Sequence, residues 1–378
     1  METPRVNDPS FWADTLPRVM VNPRDPQAGD EARQIRTWVK GQGVWDGHVF
    51  FATSGSMGKS KWVALSKQAM LASADAVNQF LGVDSSDRWL QALPDFHVGG
   101  MGIWARAHLS SSSVVSLGGR WRPAKYAEIL AQEGVTRSSL VPTQLTDLVY
   151  SNICPPSCLR SVLIGGGRLN DEVYQRAMGL GWPVMETYGM TETASQVATA
   201  RVGERTLRVL PLWQVRENEH SCLAVQGRAL LTAYLRCNEQ SVESLDPKVD
   251  GWFVTKDVAR VNEGYLEVLG RKDRSVKLLG ELVDLDRVAS ELGACVSVPG
   301  LEVVSIEDVR MGAVLVAVIE QKDGEHVVKG EIEKYNKHCH PLLRVGRVVS
   351  AEEIPRTPLG KVRYAALSDV VQRLLDAE

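Results

Sequence analysis

Apolar residues in the first part of the chain come in short continuous runs, separated by stretches of helical spacing. His48–Thr53 (HVFFAT) reads as a buried strand that runs into a polar loop. Ser66–Leu81 has helical spacing, with Ser66 placed to cap it. Trp89–Leu93, Ser113–Ser116, Ser138–Val141 and Ser161–Ile164 read as further short strands. Between and after them, Gly99–Leu109, Tyr126–Glu133, Leu145–Tyr150 and Asp171–Met178 read as helices. Strands alternating with helices predict an α/β fold built on mostly parallel sheets flanked by helices. The first 45 residues, rich in Pro, Asp and Arg, offer one helical stretch near Glu31–Lys40.

After residue 205 the pattern changes to short alternating segments between turn signals, such as Cys222–Val225, Ala229–Tyr234 and Leu266–Leu269. This suits a β-rich subdomain of antiparallel strands. The charged segment Gly270–Arg274 then precedes a smaller α+β tail, with strands at Val303–Ile306 and Ala313–Ile319 and a last helix at Leu367–Leu375. A hinge is expected near Asp273.

Composition narrows the class without naming a chemistry. The 378 residues are 44% hydrophobic and 24% charged, ordinary for a globular protein, which excludes disorder, collagen and coiled coil as the main theme. Forty-three basic against 46 acidic residues give a net charge of −3 and no electrostatic reason to expect nucleic acid or an anionic membrane. No run of 18 apolar residues occurs, and the N-terminus does not read as a signal peptide, so a cytoplasmic protein is expected. The six cysteines are sparse and read as reduced thiols. Cys154/Cys158 and His338-Cys339-His340 lack a second pair at zinc-finger spacing, so structural zinc is not expected.

Candidate chemistry begins at Thr53-Ser54-Gly55-Ser56-Met57-Gly58-Lys59-Ser60-Lys61. Small hydroxyl residues and glycines let backbone N–H groups approach phosphate oxygens, and the lysines add charge. A Walker A loop would need its first Gly at position 53, where Thr53 stands. The alternative is a solvated turn between strand and helix. Further on come Ile164-Gly165-Gly166-Gly167, Tyr188-Gly189-Met190-Thr191-Glu192-Thr193, Gly251-Trp252-Phe253-Val254-Thr255-Lys256-Asp257, Gly270-Arg271-Lys272-Asp273 and Ile354-Pro355-Arg356-Thr357-Pro358-Leu359-Gly360-Lys361. Each could be an ordinary turn or linker by itself.

In this order, the motifs resemble those of the adenylate-forming superfamily of acyl-CoA synthetases, with Met57 for a Thr and Ser60 for a Pro in the loop. The resemblance implies a large N-terminal domain, residues 1–272 with a shortened start, and a small mobile C-terminal domain, 273–378. It implies ATP and Mg²⁺, with CoA as co-substrate. Thr53, Ser54, Gly55, Ser56, Gly58 and Lys61 would hold the β- and γ-phosphates, Gly165, Gly166 and Gly167 would let a base or substrate approach closely, and Tyr188 and Gly189 would meet the adenine. Thr191 would bind phosphate, Glu192 would hold Mg²⁺, Asp257 would accept from the ribose hydroxyls, and Arg271 would contact ribose or phosphate. Lys361 would stabilise charge at the α-phosphate, and Asp273 would be the hinge.

Within that superfamily, Leu93-Pro94-Asp95-Phe96-His97-Val98-Gly99-Gly100-Met101-Gly102-Ile103 and Ser139-Leu140-Val141-Pro142-Thr143-Gln144-Leu145 are similar to segments of the o-succinylbenzoate–CoA ligases of menaquinone biosynthesis, as is Thr193-Ala194-Ser195-Gln196. An Arg is the natural fork for the substrate's second carboxylate. Arg106 is the first candidate, the alternative being a surface Arg on a helix, and Arg168 is the reserve. The resemblance implies that His97 lines and gates the acyl or thiol pocket and that Gly165 borders the substrate, the alternative for His97 being a hydrogen-bonded, partly buried histidine. Rival functions are a ligase for another carboxylic acid, a P-loop kinase, and an inactive nucleotide-binding relative. Oligomeric state is left open, a homodimer included.

Overall fold

The computed structural model describes residues 5–23, 25–53, 61–238, 241–278, 281–296, 298, 300–308, 312–320, 325–357 and 360–376. They form two compact units: Met1–Asn218 with Ala224–Thr255 and Val261–Glu267, and Glu219–Leu223 with Lys256–Arg260 and Val268–Glu378.

The first unit is organised by a parallel sheet in the order Val184–Tyr188, Ser161–Ile164, Arg137–Leu140, Arg88–Gln91, Ser113–Ser116. Helices Lys67–Leu81, Val98–Ser110, Pro123–Gln132, Pro142–Tyr150 and Asp171–Gly179 alternate with these strands. Ser66 caps the first helix as expected, accepting from the Ala69 N–H. Leu90, Leu140, Val162, Ile164 and Val184 pack on Tyr126, Leu130, Leu145 and Trp182. Arg137–Leu140 (RSSL) is buried at every position although three of its residues are polar. Two of the three polar side chains are partnered: Arg137 lies 2.9 Å from buried Asp87, and Ser138 donates to Leu90 O at 3.0 Å, while Ser139 Oγ has no partner among the described residues.

A second sheet joins Arg18–Met20, His48–Thr53, Lys61–Ser66, Ala233–Cys237 and Val242–Leu245. Trp45, Phe50, Trp62 and Leu235 pack there with Ile35 and Val39 of the helix Pro26–Val39, the helical stretch expected near Glu31–Lys40; the first 45 residues also hold the helix Pro9–Ala13 and the strand Arg18–Met20, which were not expected. Two expectations need correction. His48–Thr53 does not lead to a helix: it pairs antiparallel with Lys61–Ser66, a strand masked in the sequence by the helical spacing that begins at Ser66. Ala229–Tyr234 is not a strand throughout, because Lys248 Nζ bonds the Leu231 and Thr232 carbonyls and the ladder starts at Ala233.

Strands Trp213–Glu217, Cys222–Gly227, Phe253–Asn262 and Tyr265–Arg271 bear out the β-rich texture after residue 205, the last three contributing residues to both units. The second unit is α+β. Its sheet pairs Glu302–Asp308 antiparallel with Gly312–Ile319, which pairs parallel with Val345–Ser350. Period-two alternation turns Leu315, Ala317 and Ile319 toward Leu285–Gly293 and Glu325–His338, and Val316 and Val318 toward Tyr364–Asp376. Gly270–Arg274 is not a solvated charged linker. Buried Arg274 donates to Asp286 at 2.9 Å and to Val303 O at 2.9 Å, and sits 3.4 Å from the Tyr364 ring centroid.

Candidate active site

In open α/β sheets ligands bind beyond the carboxyl ends of parallel strands. Here four such ends carry the marked segments. Arg88–Gln91 leads to 93–97, Arg137–Leu140 to 141–144, Ser161–Ile164 to Gly165–Gly167, and Val184–Tyr188 to 189–196.

The 189–196 segment doubles back on itself. A Cβ on Gly189 would stand 1.6 Å from the Ser195 carbonyl oxygen, so only glycine fits. Thr193, fully buried, accepts from Met190 N–H at 3.1 Å and donates to Met190 O at 3.0 Å. Ala194 and Ser195 take φ of 51° and 125°, a strained backbone held by that turn. Val197 N–H closes the loop on Tyr188 O at 2.8 Å. Tyr188, Thr191 and Glu192 are left half-buried on the loop.

Glu192 is where two motifs meet. Its Oε1 is 3.2 Å from Lys61 Nζ and accepts from the Tyr234 hydroxyl at 2.9 Å. Lys61 ends the candidate phosphate loop, and Thr53 begins it. Thr53 and Lys61 are opposite each other in the ladder, and the Thr53 hydroxyl donates to Lys61 O at 2.9 Å. The loop is therefore a strand–loop–strand hairpin, which rejects both the Walker A reading and the strand-to-helix turn. Ser54, Gly55, Ser56 and Gly58, with Met57 and Ser60, lie outside the described residues.

Arg106 is buried, 2% exposed, and not a surface arginine. It sits on Val98–Ser110 with its guanidinium 5.5 Å from the Trp89 ring centroid and Nη2 at 3.4 Å from Ser195 Oγ. Its Nε and Nη1 have no hydrogen-bond partner among the described residues. Burial without a counter-ion pushes its pKa down to about 10. A Cβ on Gly102 would lie 3.4 Å from Arg106 Nη2 and 3.9 Å from Ser195 Cβ, so the three residues are close neighbours. An unpaired buried guanidinium there fits an anion with two oxygens. Arg168 is exposed.

His97 takes the N-cap position of the same helix without making a side-chain cap bond. Its Nε2 is buried with no partner among the described residues, which does not favour the hydrogen-bonded reading, and burial pushes its pKa down to about 4. Gly165 lies against the neighbouring strand, where an added Cβ would be 2.4 Å from Thr187 Oγ1, and Gly166 has φ of 83°. Gly167 faces Pro142, which an added Cβ would meet at 3.7 Å.

In the second unit, buried Asp257 lies 3.3 Å from Arg271 Nη1. Arg271 also forks onto Asp273 at 2.8 and 3.0 Å, and Lys256 adds a contact at 3.3 Å. Burial would raise the Asp273 carboxyl, but Arg271 and Lys256 outweigh it and hold it to about 2. Lys361 is exposed on a tight turn where Thr357 N–H donates to Lys361 O at 2.7 Å and Lys361 N–H to Thr357 Oγ1 at 3.2 Å.

Among the described residues no group of three His, Cys, Asp or Glu could hold a metal by itself. Sequence reasoning missed Tyr234 and Trp89. Both are single aromatics in strands, and no local motif marks either.

The family model described as AMP-binding enzyme matches residues 24–248. A 2-succinylbenzoate–CoA ligase of Bacillus cytotoxicus is 32% identical over 342 residues, covering 85% of this chain and 69% of the relative. An indoleacetate–CoA ligase of Aromatoleum aromaticum is 27% identical, with 93% and 70% covered. The o-succinylbenzoate CoA synthetase of Bacillus subtilis, solved in complex with its acyl-adenylate intermediate, superposes with a TM-score of 0.74 at 25% identity, covering 85% of this chain and 69% of that one. Among the described residues no helix is long and apolar enough to cross a membrane.

Proposed function

The chain belongs to the AMP-binding enzyme family, and from that premise we propose that it is the AMP-forming ligase that joins o-succinylbenzoate to CoA in menaquinone biosynthesis. ATP and CoA are its co-substrates and Mg²⁺ its cofactor. The observation that carries the reading is Arg106: a buried guanidinium with two unpaired nitrogens beside Ser195, at the carboxyl edge of the parallel sheet. The substrate has two carboxylates, and Arg106 meets the aromatic one while the aliphatic one reacts.

The aliphatic carboxylate attacks the α-phosphate of ATP, giving an acyl-adenylate and pyrophosphate. This step is positioning plus charge stabilisation. Thr53, Lys61 and the 54–60 loop between them hold the β- and γ-phosphates, with Thr191 assisting. Bound Mg²⁺ supplies charge neutralisation on the phosphates, and Glu192 is the carboxylate suited to it. Tyr188, Gly189 and Gly165–Gly167 frame the adenine and the acyl group. Asp257 accepts from the ribose hydroxyls, and Arg271, already paired with it, contacts ribose or phosphate. Lys361 neutralises the developing charge at the α-phosphate. His97, its pKa pushed down to about 4 by burial, lines the acyl pocket as the neutral ring at neutral pH. We place the domain boundary at 272/273 and the hinge at Asp273. The small domain turns there to withdraw Lys361, and CoA sulfur then attacks the mixed anhydride and releases AMP.

An acid panel tests the substrate assignment. AMP release should be fastest with o-succinylbenzoate and much slower with indoleacetate or 4-oxo-4-phenylbutanoate, which lack the ring carboxylate. Equal rates with monocarboxylates would replace it by a different aryl acid.

A further inference from the structure

The residues around Glu192 include one that no motif marks. Ala233–Cys237 pairs antiparallel with Lys61–Ser66, with Tyr234 opposite Val63. Just before this strand, Leu231 N–H donates to Glu192 O at 2.8 Å and Thr232 N–H to Ala64 O at 2.8 Å. The same short stretch is thus fastened both to the strand leaving the phosphate loop and to the turn carrying Glu192. From it the Tyr234 hydroxyl donates to Glu192 Oε1 at 2.9 Å. Lys61 Nζ lies 3.2 Å from that oxygen and 3.7 Å from the Tyr234 ring centroid. The ring is steadied by an edge contact with Phe253, centroids 6.4 Å apart. Both side-chain contacts of Glu192 fall on Oε1, and Oε2 accepts nothing from the described residues.

We propose that Tyr234 is a positioning residue for the cation site: its hydroxyl fixes the Glu192 carboxylate through Oε1 and leaves Oε2 for a divalent cation that arrives with a nucleoside triphosphate. Its ring face also holds the Lys61 ammonium in place. A phenol suits both tasks, because its O–H donates in the ring plane while the π face attracts a cation. A donor held against a metal-binding carboxylate orients it and sets its affinity for the ion. The proposal rests on Glu192 as the metal carboxylate.

The test is Mn²⁺ binding, read by electron paramagnetic resonance in the presence of a non-hydrolysable ATP analogue, so that no acid and no turnover is needed. Tyr234→Phe keeps the ring for Lys61 and Phe253 and removes only the hydroxyl. Its Mn²⁺ affinity should fall roughly tenfold, and the same change in a Glu192→Gln background should add no further loss. Unchanged Mn²⁺ affinity in folded Tyr234→Phe, whatever its melting temperature, would make Tyr234 a packing residue and overturn the proposal. Glu192→Gln alone leaves Tyr234 and the strand untouched. Full Mn²⁺ affinity there would remove the Glu192 assignment, and the proposal with it, while leaving the acid substrate an open and separate question.

Discussion

Replacing Arg106 by Met separates binding from stability in opposite directions. The guanidinium is buried, has two unpaired nitrogens, and its pKa is pushed down to about 10. At 1.36 kcal/mol per pK unit, the charged form is disfavoured by roughly 3 kcal/mol in the folded chain. For a cation with a lowered pKa, that cost is in force below about pH 10, hence at neutral pH, and is relieved only as the pH rises past it. Arg106→Met removes the charge and keeps an apolar stem of similar length, so the ligand-free protein should melt higher. A gain of even 1 kcal/mol corresponds to about 2–4 °C in a unit of this size. Removing one partner of a buried, hydrogen-bonded charge pair costs about 2–5 kcal/mol, so kcat/KM for o-succinylbenzoate should fall about 30-fold to several thousandfold. The ring carboxylate is remote from the reacting carboxyl, so the loss should appear chiefly in KM. The assay is AMP release with o-succinylbenzoate and with 4-oxo-4-phenylbutanoate, alongside thermal melting. The variant should lose the preference for the dicarboxylate and leave the poor rate with the monocarboxylate unchanged. A variant that melts lower and still prefers o-succinylbenzoate would refute the reasoning.

Lys361→Ala should slow acyl-adenylate formation by about 10²–10³, yet spare CoA thioester formation from supplied acyl-adenylate. Because Lys361 is exposed, its melting temperature should be unmoved. Gly189→Ala should destabilise by on the order of 3 kcal/mol and abolish turnover, since its Cβ meets the Ser195 carbonyl rather than a side chain that can move; urea unfolding measures the first effect and AMP release the second. His97, with a folded-state pKa of about 4 against 6.5 for the free side chain, stabilises the folded chain as the neutral ring. That contribution is complete above about pH 6.5 and is lost as the pH falls toward 4, so His97→Asn should flatten the decline in urea stability over that window.

The parallel sheet was legible because its strands and helices have unlike periods, and its strands Ser113–Ser116 and Ser161–Ile164, like His48–Thr53 of the second sheet, keep the bounds the apolar runs suggest. The strand expected at Ser138–Val141 despite its serines starts one residue earlier, at Arg137–Leu140, and the partners that let Arg137 and Ser138 be buried, Asp87 and Leu90, are tertiary. Lys61–Ser66 was hidden because its residues, WVAL among them, run straight into a helix without a turn signal. The same limit applies to the site. Lys61 and Glu192 were each marked by local motifs, but their 3.2 Å pairing crosses 131 residues, and Tyr234 enters only through a strand pairing with Val63. Arg106 was named as a carboxylate fork, and its burial against Trp89 depends on a helix–strand packing that no spacing in the chain displays.

The most direct test of the central claim is a product balance: the purified chain with Mg·ATP, CoA and o-succinylbenzoate, followed by chromatography of nucleotides and mass detection of the thioester. The account predicts one AMP and one pyrophosphate for each o-succinylbenzoyl-CoA formed, no ADP, and no AMP when the acid is omitted. ADP as the product, or AMP release indifferent to o-succinylbenzoate, would contradict it.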